Sequence, residues 1–149
     1  MQKRILLCDD EIHILRAAEF KFSRAGYLVQ CACNGEEAWG MIEQQVPDVL
    51  VTDCQMPLLT GLELARRIKE HPATSHLPII MLSAKGFELS STQLRKDYGI
   101  VKLLCKPFSP RELFGVVESL LEHGSETSID PLVALPVAVG VPPAVSQWL

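Results

Sequence analysis

Five side chains of this sequence have the types and the places to do chemistry together. Asp9 and Asp10 follow one apolar run, Asp53 closes another, and Ser83 and Lys106 each close a further one. Clustered carboxylates repel one another unless a cation sits among them. A hard divalent ion such as Mg²⁺ suits oxygen ligands, and it is commonly held by one or two carboxylates plus a phosphate. A hydroxyl and an ammonium beside such a cluster would complete a clamp on phosphoryl oxygens. In that setting Asp53 is a candidate nucleophile, because carboxylates can form aspartyl-phosphate intermediates. Taken singly, each residue is weak evidence. A strand-end Asp often only caps a turn, a strand-end Lys is usually a solvated charge, and Ser83 could be a simple turn residue. Their joint placement at the ends of four apolar runs points to one site.

The elements that must position them alternate. Lys3 to Asp9 reads as a strand with Ile5-Leu6-Leu7-Cys8 as its centre. Glu11 to Ala25 has helical spacing, with Ile12, Leu15, Ala18, Phe22 and Ala25 roughly on one face, and Gly26 stops it. Tyr27 to Ala32 is a second strand. Asn34 is placed to cap a helix running to about Gln45, with Glu36 and Glu37 in its first turn and Ala38, Met41 and Ile42 inward. Asp48 to Asp53 is the third strand. It carries the apolar pattern of a strand buried on both faces of a parallel sheet. A loop with Pro57 and Gly61 leads into a helix over 61–71 with Leu62, Leu64, Ala65 and Ile68 apolar. Pro78 to Ala84 is the fourth strand, residues from about Glu88 to Tyr98 a weaker helix, and Lys102 to Lys106 the fifth strand. Ser109 caps a last helix from Pro110 to about His123, with Glu112 three residues after the cap and Leu113, Val116, Val117, Leu120 and Leu121 inward.

Strand–helix alternation repeated five times implies a parallel sheet with helices on both faces and right-handed crossovers. It matches an α/β, flavodoxin-like (βα)5 doubly wound fold with strand order 2-1-3-4-5. The switch point of that order lies between the first and third strands, which end in Asp9-Asp10 and Asp53. The three carboxylates should therefore converge in one crevice.

Composition narrows the classes. A chain of 149 residues suggests one domain with a core that needs no staples. Hydrophobic content of 48% against 21% charged supports a globular core. The net charge of −4 argues against a domain-wide nucleic-acid surface. No apolar run approaches the ~20 residues that span a bilayer, and the N-terminus shows no signal-peptide pattern. These features predict a cytoplasmic protein with no membrane and no nucleic-acid partner. Five cysteines at irregular spacing do not read as a disulfide framework. Cys8, Cys31, Cys54 and Cys105 fall in or at the ends of apolar runs, where a free thiol acts as a small buried hydrophobe. Cys31 and Cys33 lack the second pair that a zinc site needs.

Residues from about Lys3 to His123 resemble the receiver domain of bacterial two-component response regulators. The resemblance is carried by Cys8-Asp9-Asp10-Glu11, by Asp53-Cys54-Gln55-Met56-Pro57-Leu58-Leu59-Thr60-Gly61, by Leu82-Ser83-Ala84 and by Lys106-Pro107-Phe108. It implies that Asp53 accepts a phosphoryl group from a phosphohistidine on a sensor histidine kinase or a histidine phosphotransfer protein. It implies Mg²⁺ bound directly by Asp10 and largely through water by Asp9, with Asp53 and the backbone carbonyl of Gln55 completing the protein ligands. Ser83 and Lys106 would hold phosphate oxygens, and Lys106-Pro107 would be a cis peptide. The protein would then be no enzyme beyond promoting its own phosphorylation and dephosphorylation. One departure is Leu103, which stands where the family usually places Tyr or Phe as a rotamer switch, preceded by Val101-Lys102 instead of an acidic pair. A receiver-like interaction module that does not use phosphate stays open for that reason. A phosphatase on the same fold is disfavoured, because Gln55 stands where a second acid would be needed.

The expected domain is 1–123. The segment 124–149 opens polar and then turns apolar and proline-rich, with no charge after Asp130, and is expected to lie outside the core. A docking segment anchored by Trp148 and Leu149, for a partner or for a weak homodimer, is the alternative. With no helix-turn-helix read after His123, the expectation is a stand-alone receiver acting on an unknown downstream protein.

Overall fold

The structure is a computed structural model, and it describes residues 2–84 and 90–123. Its elements run β1 (Arg4–Cys8), α1 (Ile12–Arg24), β2 (Leu28–Ala32), α2 (Gly35–Gln44), β3 (Val49–Asp53), α3 (Gly61–Glu70), β4 (Ile79–Ser83), α4 (Ser91–Tyr98), β5 (Ile100–Cys105) and α5 (Pro110–His123). All neighbouring strands pair in parallel, in the order β2-β1-β3-β4-β5. The expected order therefore stands, and β1 and β3 lie side by side at the switch point.

Strand alternation divides the core between the two faces. Leu6, Leu50, Ile79 and Met81 point to the face covered by α2, α3 and α4, where they meet Ala38, Ile42, Leu64, Ala65, Ile68 and Leu94. Ile5, Leu7, Val49, Val51, Ile80 and Leu82 point to the other face, against Leu15, Ala18 and Phe22 of α1 and Leu113 and Val117 of α5. Every residue of β3 and of β4 is buried, which is what the near-continuous apolar runs require of central parallel strands.

Helix starts follow the capping chemistry read from the sequence. Asn34 accepts from the backbone N–H of Glu37 at 2.8 Å. Thr60 and Glu63 form a reciprocal capping box, and so do Ser109 and Glu112, at 2.8 and 3.1 Å. Gly99 ends α4 in the left-handed conformation.

Several expectations need correction. Ile12 is 52% exposed and Ala25 is also exposed. Ile12 opens α1 above the polar carboxyl edge of the sheet, and Ala25 lies past the last helical residue. Trp39 joins the α2 core beside Ala38 and Ile42, while Met41 is only partly buried. β5 starts at Ile100, because its pairing with β4 begins there. Cys105 is exposed, unlike Cys8 and Cys54, because β5 is an edge strand. The expected start of the fourth helix near Glu88, and the whole of 124–149, lie outside the described residues.

Candidate functional site

β1 delivers Asp9 one residue past its end, and Asp9 N donates to Ala32 O at 3.1 Å. Asp9 is buried and Asp10 is exposed. Asp53 is the last residue of β3 and is buried at 6% exposure. Asp9, Asp10 and Asp53 each offer an oxygen within 4.8 Å of the others. Lys106 follows β5, and its N–H donates to Ser83 O at 2.7 Å, tying the ends of β4 and β5 together. The Lys106–Pro107 bond is cis. Ser83 is buried at the end of β4. Gln55 lies two residues beyond Asp53 with its side chain exposed.

The Lys106 ammonium stands among three carboxylates. Its Nζ is 2.8 Å from Glu11 Oε1, 3.1 Å from Asp53 Oδ1 and 3.3 Å from Asp9 Oδ2. The contact with Asp9 is an ion pair without hydrogen-bond alignment, and Asp9 Oδ2 is a buried oxygen that accepts no hydrogen bond. Asp9 Oδ1 accepts from the backbone N–H of Glu11 at 2.9 Å. The sequence thus brings together Asp9, Asp10, Asp53 and Lys106, and sets Ser83 on the adjoining strand end.

Burial raises the carboxyl of Asp53 above its ordinary value, against the opposing pull of Lys106. Burial does the same to Asp9, and the neighbouring Asp53 charge adds to it, while the Glu11 N–H pulls the other way. For Lys106, burial works against the ammonium, but the hydrogen bonds to Glu11 and Asp53 outweigh it and hold the group above the ordinary lysine range. Burial thus dominates the two carboxyl shifts, while the surrounding carboxylates dominate the Lys106 shift. An unmet buried carboxylate oxygen, with two further carboxylate oxygens close by, fits a hard oxygen-seeking cation such as Mg²⁺.

The loop after Asp53 is held by close packing. A Cβ at Gly61 would overlap the carbonyl oxygen of Asp53, so only glycine lets α3 start there. Gly61 N donates back to Cys54 O at 2.9 Å. Leu58 has φ 71°, and Leu59 N donates to Pro57 O at 2.8 Å across it, a γ-turn that is rare and strained for a branched side chain. Beneath the acids, Cys8 Sγ lies 3.2 Å from Met56 Sδ, and burial pushes that thiol up to about 12.

Sequence reasoning missed two features here. It took Glu11 only as the start of a helix, although a third consecutive acid beside a predicted cation site was the available signal. It had no signal for Leu58, since nothing in a leucine announces a positive φ.

Known proteins share this arrangement. A family model described as the response regulator receiver domain matches residues 5–118. The alkaline phosphatase synthesis transcriptional regulatory protein PhoP of Bacillus subtilis is 36% identical over 123 residues, covering 83% of this chain and 50% of that protein. The chain spans about half the length of the curated relatives it matches. Among solved structures, the chemotaxis response regulator CheY4 of Vibrio cholerae superposes with a TM-score of 0.72 at 29% identity, covering 80% of this chain and 99% of that one. The receiver domain of the sensor histidine kinase PA1611 of Pseudomonas aeruginosa, described with a magnesium ion coordinated in its active-site cleft, gives 0.70 at 26% identity, covering 82% and 99%. With its five parallel strands, its acid cluster at the switch point and its match over 5–118, the chain belongs to the response regulator receiver domain family of two-component signalling proteins.

Proposed function

We propose that Asp53 accepts a phosphoryl group from a phosphohistidine of a sensor histidine kinase or a histidine phosphotransfer protein, and that the change alters binding of a downstream protein. The observation that supports this best is the Asp53 carboxylate itself. It ends a fully buried strand, lies 3.1 Å from the Lys106 ammonium and faces Asp9 and Asp10 across the switch point. A carboxylate oxygen of Asp53 attacks phosphorus, the bond to the donor imidazole nitrogen breaks, and its electron pair stays on that nitrogen. Lys106 opposes the upward shift that burial imposes on the Asp53 carboxyl, and afterwards supplies charge to the phosphoryl oxygens. Ser83, at the neighbouring strand end, is placed to offer its hydroxyl to the same oxygens. Asp9, Asp10, Asp53 and the Gln55 carbonyl would hold Mg²⁺, which when bound neutralises charge on the transferring group. In this reading the chain turns over no separate substrate.

We place the working unit in residues 1–123, in the cytoplasm, with 124–149 as a tail outside the core. Among the described residues, no helix is long and apolar enough to cross a membrane. Leu103 is partly buried and packs against the α3–α4 side of the core. With no aromatic ring at that place, the response to phosphorylation rests on Ser83 and Lys106 themselves.

The test is incubation with acetyl phosphate and Mg²⁺, followed by intact-mass analysis and peptide mapping. Wild type gains one phosphoryl group on Asp53, and Asp53→Asn gains none. Undiminished labelling of Asp53→Asn would sink the assignment.

A further inference from the structure

Lys106 is the cation of the proposed acceptor site, yet its shortest contact is not with the acceptor. That contact is the 2.8 Å hydrogen bond to Glu11, shorter than those to Asp53 at 3.1 Å and Asp9 at 3.3 Å. We infer that Glu11 is a positioning residue for the phosphoryl switch: its carboxylate holds the Lys106 ammonium in the unphosphorylated state and must release it when a phosphoryl group forms on Asp53. The inference rests on the Asp53 reading above and adds what the resting site does with its lysine.

Three observations carry it. First, Glu11 stands at the N-cap position of α1, but its side chain makes no capping hydrogen bond. The short side chains of Asp, Asn, Ser or Thr in that place serve the exposed helix N–H groups; the longer Glu11 leaves them and reaches Lys106, a residue 95 positions away in the chain. Second, the three carboxylates around Lys106 differ in exposure. The side chains of Asp9 and Asp53 are 2% and 9% exposed, whereas that of Glu11 is 46% exposed. Glu11 can return to water at little cost, and the other two cannot, so Glu11 is the partner that yields. Third, an ammonium has three N–H donors, and three carboxylates already crowd this one within 3.3 Å. A phosphoryl group on Asp53 brings further anionic oxygens, which must displace one of these partners to reach Lys106.

Holding the lysine in this way opposes phosphorylation twice. It occupies the donor that the phosphoryl group needs, and it leaves a negative charge at the open rim where an anionic phosphodonor arrives. Removing the charge while keeping the side-chain length should therefore favour the phosphorylated-like state.

The experiment compares wild type with Glu11→Gln, using beryllofluoride as a non-covalent phosphoryl mimic at saturating Mg²⁺. Binding is followed by NMR on protein carrying ¹⁵N-labelled lysine side chains. Because Glu11 is exposed and makes no cap, the variant keeps its fold. Glu11→Gln is expected to bind beryllofluoride roughly threefold or more tightly, on the scale of one half-exposed charge pair released. In the absence of the mimic, its Lys106 Nζ resonance is expected to move away from the wild-type position. Equal or weaker binding by Glu11→Gln, with wild type binding normally, overturns the inference and leaves the Asp53 reading standing. Tighter binding with an unchanged Lys106 resonance also overturns it, because the effect would then be a general field and not a grip on the lysine. Absence of Mg²⁺-dependent binding by both proteins overturns the Asp53 reading, and this inference with it.

Discussion

The centre of the sheet and its β5 edge are built to different standards. At the centre, β3 is buried along its whole length and β1 is buried from Ile5 to Cys8, with helices packed on both faces. At the edge, β5 has one fully buried residue, Ile100, and its register with β4 shifts between Ile79 and Ile80. Its neighbour α4 has eight residues and buries only Leu94. The acids stand at the centre and Lys106 at the edge. A group that must keep its place for chemistry sits on strands that open only with the whole domain, and a group that must shift sits on a strand whose local opening costs less.

Core truncation should show this contrast most strongly. Leu50→Ala on β3 is expected to cost roughly 2–5 kcal/mol, because a fully buried leucine leaves a cavity that central strands cannot close. Leu103→Ala on β5 is expected to cost about 1 kcal/mol, since that side chain is only partly buried. Urea unfolding of both variants checks the difference, and equal costs would erase the contrast.

Gly61→Ala comes next. The new methyl would meet the Asp53 carbonyl oxygen, so the loop that carries the acceptor must shift, at roughly 1–3 kcal/mol. Mg²⁺ affinity should fall with it, which metal titration by tryptophan fluorescence would reveal.

The acid cluster itself is expected to weaken the metal-free protein. Asp9→Asn removes a buried charge with an unmet oxygen and should stabilise the metal-free protein by roughly 1–2 kcal/mol, while weakening Mg²⁺ binding. The pH dependence carries the same sign. The carboxyls of Asp9 and Asp53 lie above their ordinary value of 3.8. Between that value and the raised ones, the folded protein holds protons that the unfolded chain has released. Stability without metal should therefore fall as pH rises through that window, and Mg²⁺ should flatten the slope. Melting curves with chelator and with Mg²⁺ separate the two cases.

The smallest effect is expected at Leu58. Leu58→Gly should change stability by no more than about 1 kcal/mol, towards greater stability, because a 75% exposed side chain loses little packing and glycine relieves the positive φ. A loss of more than that would mean the leucine is anchored in a way its exposure does not show.

How much of this was legible in the sequence follows the same divide. Strands β1, β3 and β4 read clearly because burial on both faces demands unbroken apolar runs, and their ends placed Asp9, Asp53 and Ser83 correctly. The capping residues Asn34 and Ser109 were equally plain, because the partners they satisfy lie three positions away. The edge strand was harder. Ile100 was missed as the start of β5, and Cys105 was read as an apolar strand end, since half-exposed strands mix polar and apolar residues without a clean period. Ile12 was placed in the core because helical spacing does not say where the layer beneath ends. The grip of Glu11 on Lys106 links residues 95 positions apart, and its one local trace is the run of three acids that ends in Glu11.

The central claim is that a phosphoryl group formed at the well-packed centre is answered at the thin β5 edge and the β4 end beside it. Peptide-resolved hydrogen exchange, with and without beryllofluoride and Mg²⁺, tests it most directly, with Asp53→Asn as the control. The account predicts changed protection in 79–84 and 91–106, little change in β1 and β3, and no response in Asp53→Asn. Protection that changes mainly in β1 and β3, or that changes equally in Asp53→Asn, would contradict it.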